Sequence, residues 1–305
     1  MECLNRRATN TGGPTTGPDP LSPPRPKLPY YDPCLNGWVL SRYVDVLAAL
    51  REPRLLPVDS RAEAPPGDVV VDAQRRIRTE TMAVLSHQNI ESWRTQFVAL
   101  AHCTIAKLTS GKRVDIISQF AEPFCLAVAV SITEANPLDS ERLGALAHTV
   151  SMAVADPFND WLRHSAKIAD VQVAKSLDRS PIPMSGPTFV ALSQTLPCFL
   201  ANAWLALLRH PRQLDRLRNE PDLLSSAVEE LLRYAGVAHI LFRRSSTAIN
   251  VAGLTIARGA RVILMLSSAN RDSTYFMEPD CLDISRGLVR ISRLVLVRIH
   301  APEYR

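Results

Sequence analysis

The sequence has few of the features that mark several common classes of protein. Its 305 residues include only 12 glycines and 6% aromatic residues, and they contain neither a glycine-rich phosphate loop nor a G-x-S-x-G nucleophile elbow. The cysteines show no C-x-x-C spacing, so neither a disulfide framework nor a zinc site is predicted. We expect mostly buried thiols at all six positions: Cys3, Cys34, Cys103, Cys125, Cys198 and Cys281.

Charge and long apolar runs are also limited. The formal net charge of +5 includes no block of like charge, so the sequence does not predict a nucleic-acid partner. The longest apolar run, Leu196 to Leu208, is shorter than the roughly 20 residues that cross a bilayer. No charged and then apolar leader opens the chain. We therefore expect a cytoplasmic protein with no membrane partner.

Composition and periodicity divide the chain. Residues 1–29 carry seven prolines and are expected to form a disordered or extended arm. From Tyr30 to about Tyr234, apolar residues recur three and four apart, which predicts helices such as those over residues 45–56 and 93–108. Residues 249–266 predict short hairpins around Ala252-Gly253 and Arg258-Gly259. The fold class is therefore mainly α with a small β region.

The stretch from Pro221 to Gly236 predicts a short helix. Pro221 suits the first turn, and Gly236 is expected to end the helix in a left-handed conformation. Glu230 and Arg233 are three residues apart and can pair. On spacing alone, an exposed contact worth a few tenths of a kcal/mol is the simpler interpretation. The expected apolar stripe consists of Leu224, Val228, Leu231 and Leu232.

A longer apolar helix begins near Thr188 and contains Pro197. A proline inside a helix removes one backbone donor and opposes the carbonyl four residues earlier, so a bend is expected over residues 193–197. Gln194 and Thr195 place polar groups at this bend. On periodicity alone, a helix that bends around its own core is the alternative to a polar site.

Four blocks of sequence resemble the bacterial cytochromes P450, the haem-thiolate monooxygenases, in order and register: WVLSRYVDVLAALREPRL, NAWLALLRHPRQLDRLR, AVEELLRY and SSANRDSTYFMEPDCLDISR. The resemblance spans Trp38 to Arg286 with gaps. It implies a cytochrome P450 fold, incomplete at the C-terminus, that encloses a haem (heme). It also implies insertion of one oxygen atom from O2 into a small organic substrate, with electrons from a ferredoxin-type donor.

The resemblance assigns several cofactor-binding and structural positions. Glu230 and Arg233 match the family's E-x-x-R pair, so it implies a buried ion pair on the haem side of the core rather than a surface contact. Arg243 is similar to the arginine that binds a haem propionate, a role that suits a guanidinium. Arg78 matches a second propionate-binding arginine, whereas Gln74 stands where the family has a histidine. An amide can still donate a hydrogen bond there.

The family's oxygen-activating stretch aligns with Ala191 to Thr195. Thr195 matches the family's threonine, Leu192 replaces a glycine, and Gln194 replaces an acid. The resemblance therefore places the catalytic positions at Thr195 and Gln194. Because an amide does not titrate, we expect proton delivery to be impaired. The connection from residues 154–161 to this helix is also shorter than in the family, which predicts that part of the lid over the substrate pocket is missing.

After residue 286 the family continues with the loop F-G-x-G-x-H-x-C-x-G, whose cysteine thiolate binds the iron. These residues do not occur here. Cys281 lies at a variable family position, so the sequence predicts no metal ligand, and the missing axial cysteine makes haem binding doubtful. Three interpretations stay open: a monooxygenase, a haem-free auxiliary protein that binds a biosynthetic enzyme, and a non-functional product. We rank the non-functional product slightly above the auxiliary protein.

The missing loop can be recovered from a shifted reading frame. Legal codons for Arg290 to Arg305 exist whose bases, read from the third base of the Arg290 codon, encode HLAFGSGPHTCAGVP. This peptide contains the whole loop, and only the third base of most codons is free to vary. We therefore predict a frame slip close to Val289 or Arg290, in the gene or in its sequencing. The predicted domains are an arm (1–29), an incomplete P450 domain (30–290) and an out-of-frame tail (291–305).

Overall fold

A computed structural model describes residues 27–57, 76–77, 79–108, 113–134, 139–156, 158–178, 180, 182 and 184–286. Of the candidate site residues, Gln74 and Arg78 lie outside the described residues, as do residues 1–26 and 287–305. In the described part of the chain, helices predominate and the strands are short. The predicted fold class, mainly α with a small β region, is confirmed.

The helices form most of the structure. A π-helical turn, Ile117–Ala121, precedes α3, and a short 3-10 helix, Pro221–Leu223, precedes α8. In chain order the helices are α1 (Tyr43–Arg51), α2 (His87–Ala106), α3 (Glu122–Thr133), α4 (Ser140–Ala155), α5 (Asp160–Leu177), α6 (Gly186–Arg209), α7 (Pro211–Asn219), α8 (Leu224–Ala235) and α9 (Leu266–Ala269).

Seven described strands make two sheets. They are β1 (Tyr30–Asp32), β2 (Gly37–Leu40), β3 (Leu55–Pro57), β4 (Ile240–Ser245), β5 (Ile249–Val251), β6 (Leu254–Ile256) and β7 (Arg261–Met265). The larger sheet has the order β1-β2-β7-β4-β3, in which only β2 and β7 run parallel. The smaller sheet is the β5–β6 hairpin.

The apolar side chains collect in three main clusters. The first is helical and includes Ile132, Leu143 and Phe189 from α3, α4 and α6. The second joins the sheets to α1 and α9. The third packs the second half of α6 against α8 and against Leu282 and Ile284. Helix α6 contributes to the first and third clusters, so it connects the helical part to the region that holds Glu230 and Arg233.

Helix α6 also resembles a membrane span in one respect. Among the described residues, Gly186–Arg209 is long and apolar enough to cross a bilayer, with a mean hydropathy of 1.4 over its most apolar window, and 44% of that window is buried. The sequence run considered above, which was judged too short, is only its second half. The apolar residues of α6 that pack into the first and third clusters are core residues of the fold.

Two predictions about the distribution of strands were wrong. Strands β1, β2 and β3 all lie before residue 58, inside the stretch that was predicted to be helical, and α1 ends at Arg51 rather than continuing to Leu56. They are three or four residues long, which is too short for a period-two pattern to stand out. Strands β2 and β3 pair with β7 and β4, which are far along the chain, whereas β1 pairs with its neighbour β2.

The predicted turns were half right. Ala252 and Gly253 both have positive φ, 53° and 74°, and they connect β5 to β6 as a two-residue hairpin turn. Gly259 also has a positive φ of 79°, but its turn is not a hairpin. It leads from β6 in the small sheet to β7 in the large one, and Gly259 N–H donates to the Ser245 carbonyl at 2.7 Å.

The predicted end of α8 was also wrong in its mechanism. Gly236 does end the helix, but its φ of −60° and ψ of 149° are extended, not left-handed. Glycine is required there for space, because an added Cβ would lie 2.3 Å from the Leu232 carbonyl oxygen. In the predicted stripe, Leu231 is buried, whereas Leu224 is 59% and Val228 is 39% exposed. The described residues cover that part of the stripe only partly.

The cysteines differ from the prediction as well. Among the described residues, Cys125 is a buried free thiol, whereas the free cysteines Cys34, Cys103 and Cys198 are exposed. Cys281 is half-buried and its sulfur is in a disulfide bond. The expectation of mostly buried thiols is therefore wrong for the described cysteines. Sequence position alone could not separate core from surface, because these residues lie on amphipathic helices or in loops.

Candidate functional site

A buried ion pair lies at the centre of the candidate site. Glu230 and Arg233 are one helical turn apart on α8, and both side chains are 0% exposed. The Arg233 Nε donates to Glu230 Oε2 and its Nη2 donates to Oε1, each at 2.7 Å. This two-point geometry is the strong form of an arginine–carboxylate contact. Helix α8 therefore directs two charged side chains into the protein rather than into solvent.

The pair binds the segment of residues 270–286, which is mostly irregular in structure. Arg233 Nη1 donates to the carbonyls of Asn270 and Pro279, both at 2.7 Å, and Nη2 donates to that of Cys281 at 3.1 Å. Glu230 Oε1 also accepts from the Asp283 backbone N–H and from Arg286 Nε, each at 3.1 Å. The pair thus satisfies the backbone of a segment that has little regular secondary structure of its own.

A second arginine strengthens this arrangement. The Arg271 guanidinium carbon lies 4.1 Å from the centre of the Tyr234 ring, and its Nη groups donate to the Tyr234 and Pro279 carbonyls at 2.9 and 3.0 Å. Burial, and then the charge of Arg233, lower the pKa of Arg271. An always-charged guanidinium tolerates this environment better than an amine would. Sequence reasoning assigned no role to Arg271, although it lies within one of the four resembling blocks.

The same segment is fastened to α1 through Asp272. Its carboxylate accepts from the Tyr43 backbone N–H at 2.9 Å and from the Thr274 hydroxyl at 2.6 Å. Burial acts to raise the pKa of Asp272, but these hydrogen bonds outweigh it and hold the pKa below its usual range. Tyr43 also stacks on Tyr275, with ring centres 3.5 Å apart. The 270–286 segment is therefore bound on one side by α8 and on the other by α1.

A cavity of about 520 Å³ lies next to the ion pair, between α6, α8 and α9. Arg209, His210, Arg233, His239 and Arg271 are among its lining residues, and none of the lining residues is acidic. The Asn270 side-chain oxygen also faces this region and is buried without a hydrogen-bond partner among the described residues. The cavity therefore combines basic side chains with one unsatisfied acceptor.

Gln194 and Thr195 lie on a π-helical turn within α6, Ala191–Thr195. Leu196 N–H donates to the Ala191 carbonyl five residues earlier, and Pro197 follows at once. The sequence predicted a bend here, and the structure has a widened π-helical turn at this place. Gln194 Nε2 donates to the Gly144 carbonyl of α4 at 3.5 Å, so its amide points to the helical core. Thr195 is half-buried.

Arg243 is the one candidate carboxylate-binding residue that lies within the described part of the chain. It is in the middle of β4, paired with Val262 of β7, and is 8% exposed. Its Nη1 donates to the neighbouring Phe242 carbonyl at 2.9 Å. A guanidinium has five N–H donors in a planar fork, a geometry that suits carboxylate groups in general.

The described cysteines lie in different environments. Burial raises the pKa of Cys125 to about 12, which keeps it a neutral thiol at physiological pH. Burial, followed by the charge of Glu122, also raises the pKa of Cys198. The sulfur of Cys281 is already in a disulfide bond. Cys34 and Cys103, by contrast, are exposed free thiols.

Comparisons with known proteins point to one family. The family model described as Cytochrome P450 matches residues 200–289. The chain is 30% identical over 291 residues to cytochrome P450-SU2 of Streptomyces griseolus, which covers 83% of this chain and 72% of that protein. It is 27% identical over 287 residues to the vitamin D(3) 25-hydroxylase of Pseudonocardia autotrophica, covering 82% of this chain and 71% of the relative.

A solved structure shows the same architecture. P450BioI, in complex with an acyl carrier protein ligated to hexadec-9Z-enoic acid, superposes with a TM-score of 0.73 at 25% sequence identity. The match covers 85% of this chain and 78% of that one.

Proposed function

Since the chain belongs to the cytochrome P450 family, we propose that it derives from a haem-dependent monooxygenase that hydroxylates a small organic substrate. O2 and electrons from a ferredoxin-type donor complete that reaction. The buried Glu230–Arg233 pair carries the proposal, because a charged pair of this kind needs a structural reason to be buried. Support also comes from the relative named as a hydroxylase. We place the protein in the cytoplasm, as the sequence composition favours.

Each described site residue has one role in this proposal. Glu230 and Arg233 hold the 270–286 segment in place on the haem side of the core. Arg243 binds one haem carboxylate, and Gln74 and Arg78 are proposed for the other contacts. Thr195 orients a proton donor at the π-helical turn, while Gln194 cannot supply a proton itself. Haem, when bound, supplies the activation of O2.

We further propose that this chain, as translated, has lost that activity. The iron of the family is held by a cysteine thiolate, which also strengthens O–O cleavage. The described cysteines supply no such thiolate, and residues 287–305 do not contain the ligand loop. The shifted frame of Arg290 to Arg305 restores the loop, so we attribute the loss to a frame slip and treat residues 291–305 as an out-of-frame tail.

A haem-free binding role is the second candidate. It is favoured by the exposure of Leu224 and Val228 on α8, together with Leu205 and Leu208 on α6, which leaves apolar side chains available for a partner. The same exposure favours a third outcome, a product that does not stay folded. A biosynthetic enzyme that binds the purified chain would support the second candidate, and insolubility would support the third.

Spectroscopy of two chains separates these proposals. The chain as translated is expressed beside a chain in which the frame is corrected near Arg290. We expect haem absorbance and a carbon monoxide band typical of thiolate-bound iron only in the corrected chain. A cooperative thermal unfolding of the translated chain without haem would favour the binding role. Thiolate-bound iron in the translated chain would refute the proposed loss of activity.

A further inference from the structure

The connection between α4 and α5 is built to present one aromatic side chain. Helix α4 ends at Ala155, and Asp156 follows it. The Asp156 side chain accepts a hydrogen bond from the Phe158 N–H at 3.4 Å, and its carbonyl accepts one from the Asn159 N–H at 3.3 Å. Asn159 then begins α5 by accepting the Leu162 N–H at 3.1 Å. These contacts hold the N–H groups of Phe158 and Asn159 at the start of α5, and the Phe158 side chain is 45% exposed.

The Phe158 ring contacts two side chains of the five-stranded sheet. Its centre lies 4.9 Å from that of Phe242 on β4, with an interplanar angle of 79°. The guanidinium carbon of Arg261 on β7 lies 4.7 Å from the same ring. Edge-to-face aromatic pairs and cation–π contacts are both favourable at these distances. Among the contacts of the described residues, this pair of interactions joins the turn to strands that are more than 80 residues away in sequence.

Arg261 is itself held in position. Its Nη1 donates to the Leu35 carbonyl at 2.9 Å, in the turn between β1 and β2. Gly37 of β2 lies against it, since an added Cβ there would approach the Arg261 Cβ and carbonyl oxygen to 3.1 Å. The guanidinium that covers Phe158 is therefore held by the Leu35 carbonyl, while the start of the Arg261 side chain lies against Gly37.

We propose that Phe158, Phe242 and Arg261 form a clasp that fastens the α4–α5 turn to the sheet and limits how far this helical hairpin opens. The residue after Phe242 is Arg243, the proposed haem-carboxylate ligand. Successive side chains of a strand point to opposite faces, so the clasp lies on the face of β4 away from the Arg243 side chain and does not depend on the proposed function. Phe158 and Arg261 act as positioning residues, because neither is placed at reacting atoms.

Limited proteolysis of the full chain tests the clasp without any need for haem. Arg163 lies in the first turn of α5, so trypsin cleaves after it only when this end of the hairpin opens. We expect Phe158→Ala to raise the rate of cleavage at Arg163 roughly tenfold, because it removes both the aromatic and the cation–π contact. Arg261→Met removes only the cation–π contact and should raise this rate roughly threefold. Mass spectrometry of the fragments identifies the cleaved bond.

Matched controls and a double variant complete the test. Trp161→Ala removes a large ring that is 72% exposed in the first turn of α5. Arg258→Gln removes an exposed arginine three residues before Arg261. Neither variant should change the rate of cleavage at Arg163 by more than about twofold. Because the two side chains act through one contact, Phe158→Ala with Arg261→Met should cleave no faster than about twice Phe158→Ala alone. Unchanged cleavage in Phe158→Ala, or fully multiplicative effects in the double variant, would overturn the clasp.

Discussion

Replacement of Arg233 by methionine is the sharpest test of the core of the site. The change leaves the Glu230 carboxylate buried without its two hydrogen bonds from Arg233. Loss of one partner from a buried ion pair typically costs about 3–5 kcal/mol. Methionine retains the apolar stem of the arginine side chain but lacks the guanidinium, so the measured loss includes both the missing donors and the space that they filled.

The structure places the expected loss in the lower half of that range. Glu230 keeps the Asp283 N–H and Arg286 Nε as donors. The Pro279 carbonyl keeps Arg271, while the Asn270 carbonyl loses the arginine donor seen in the structure. We therefore expect the free energy of unfolding to fall by about 3–4 kcal/mol. That is a large part of the roughly 5–15 kcal/mol available to a folded protein.

Urea denaturation followed by tryptophan fluorescence measures this change. The matched control is Arg218→Met, which breaks an ion pair of the same spacing with Asp215, but one whose side chains are 69% and 67% exposed. We expect the control to lose no more than about 0.5 kcal/mol. If Arg233→Met is insoluble, Arg233→Lys keeps the charge and should lose an intermediate amount. A loss below about 1 kcal/mol in Arg233→Met would refute the argument that this pair holds the 270–286 segment.

Two further predictions concern stability. Burial raises the pKa of Asp170 to about 6, so the folded state favours the protonated carboxyl. The free energy of unfolding should therefore increase by about 1–2 kcal/mol, after solvent screening, as the pH falls from about 7 to 4. Asp170→Asn should remove that dependence in urea titrations at several pH values. An unchanged pH dependence would contradict this assignment. Gly236→Ala places a Cβ 2.3 Å from the Leu232 carbonyl oxygen, and it should lower the free energy of unfolding, measured by thermal unfolding, by about 1–3 kcal/mol. Gly253→Ala should cost less, about 1 kcal/mol, because its added carbon meets open space and only the positive φ is unfavourable. Equal losses would show that backbone conformation, not space, selects glycine at residue 236.

The sequence predicted the long helices well, because their apolar residues repeat over many turns. It also located the interruption of α6, since Pro197 removes a specific backbone donor. The early strands escaped detection because each is three or four residues long and is defined by its partners in the sheet. The exposure of Leu224 and Val228 shows that periodicity alone does not predict which apolar side chains are buried. A periodic stripe predicts that something should cover it, but not whether that element is present.

Some residues of the candidate site could be predicted from the sequence and others could not. Spacing alone favoured an exposed contact for Glu230 and Arg233, and only the resemblance pointed to burial. The supporting contacts from Arg271 and Asp272 could not be predicted, because they depend on carbonyls and backbone N–H groups brought together by the fold. The Phe158 clasp could not be predicted either, because Phe158 is more than 80 residues from both Phe242 and Arg261. The aromatic and cation–π contacts exist only because the fold brings the α4–α5 turn to the sheet.

The most direct test of the account is the carbon monoxide difference spectrum of the reduced, haem-supplemented protein as translated, recorded beside the frame-corrected chain. We predict no band of thiolate-bound iron in the translated chain and a clear band in the corrected one. A thiolate band from the translated chain would contradict the claim that its iron ligand is lost. A corrected chain that also shows none would contradict the claim that the shifted frame encodes that ligand.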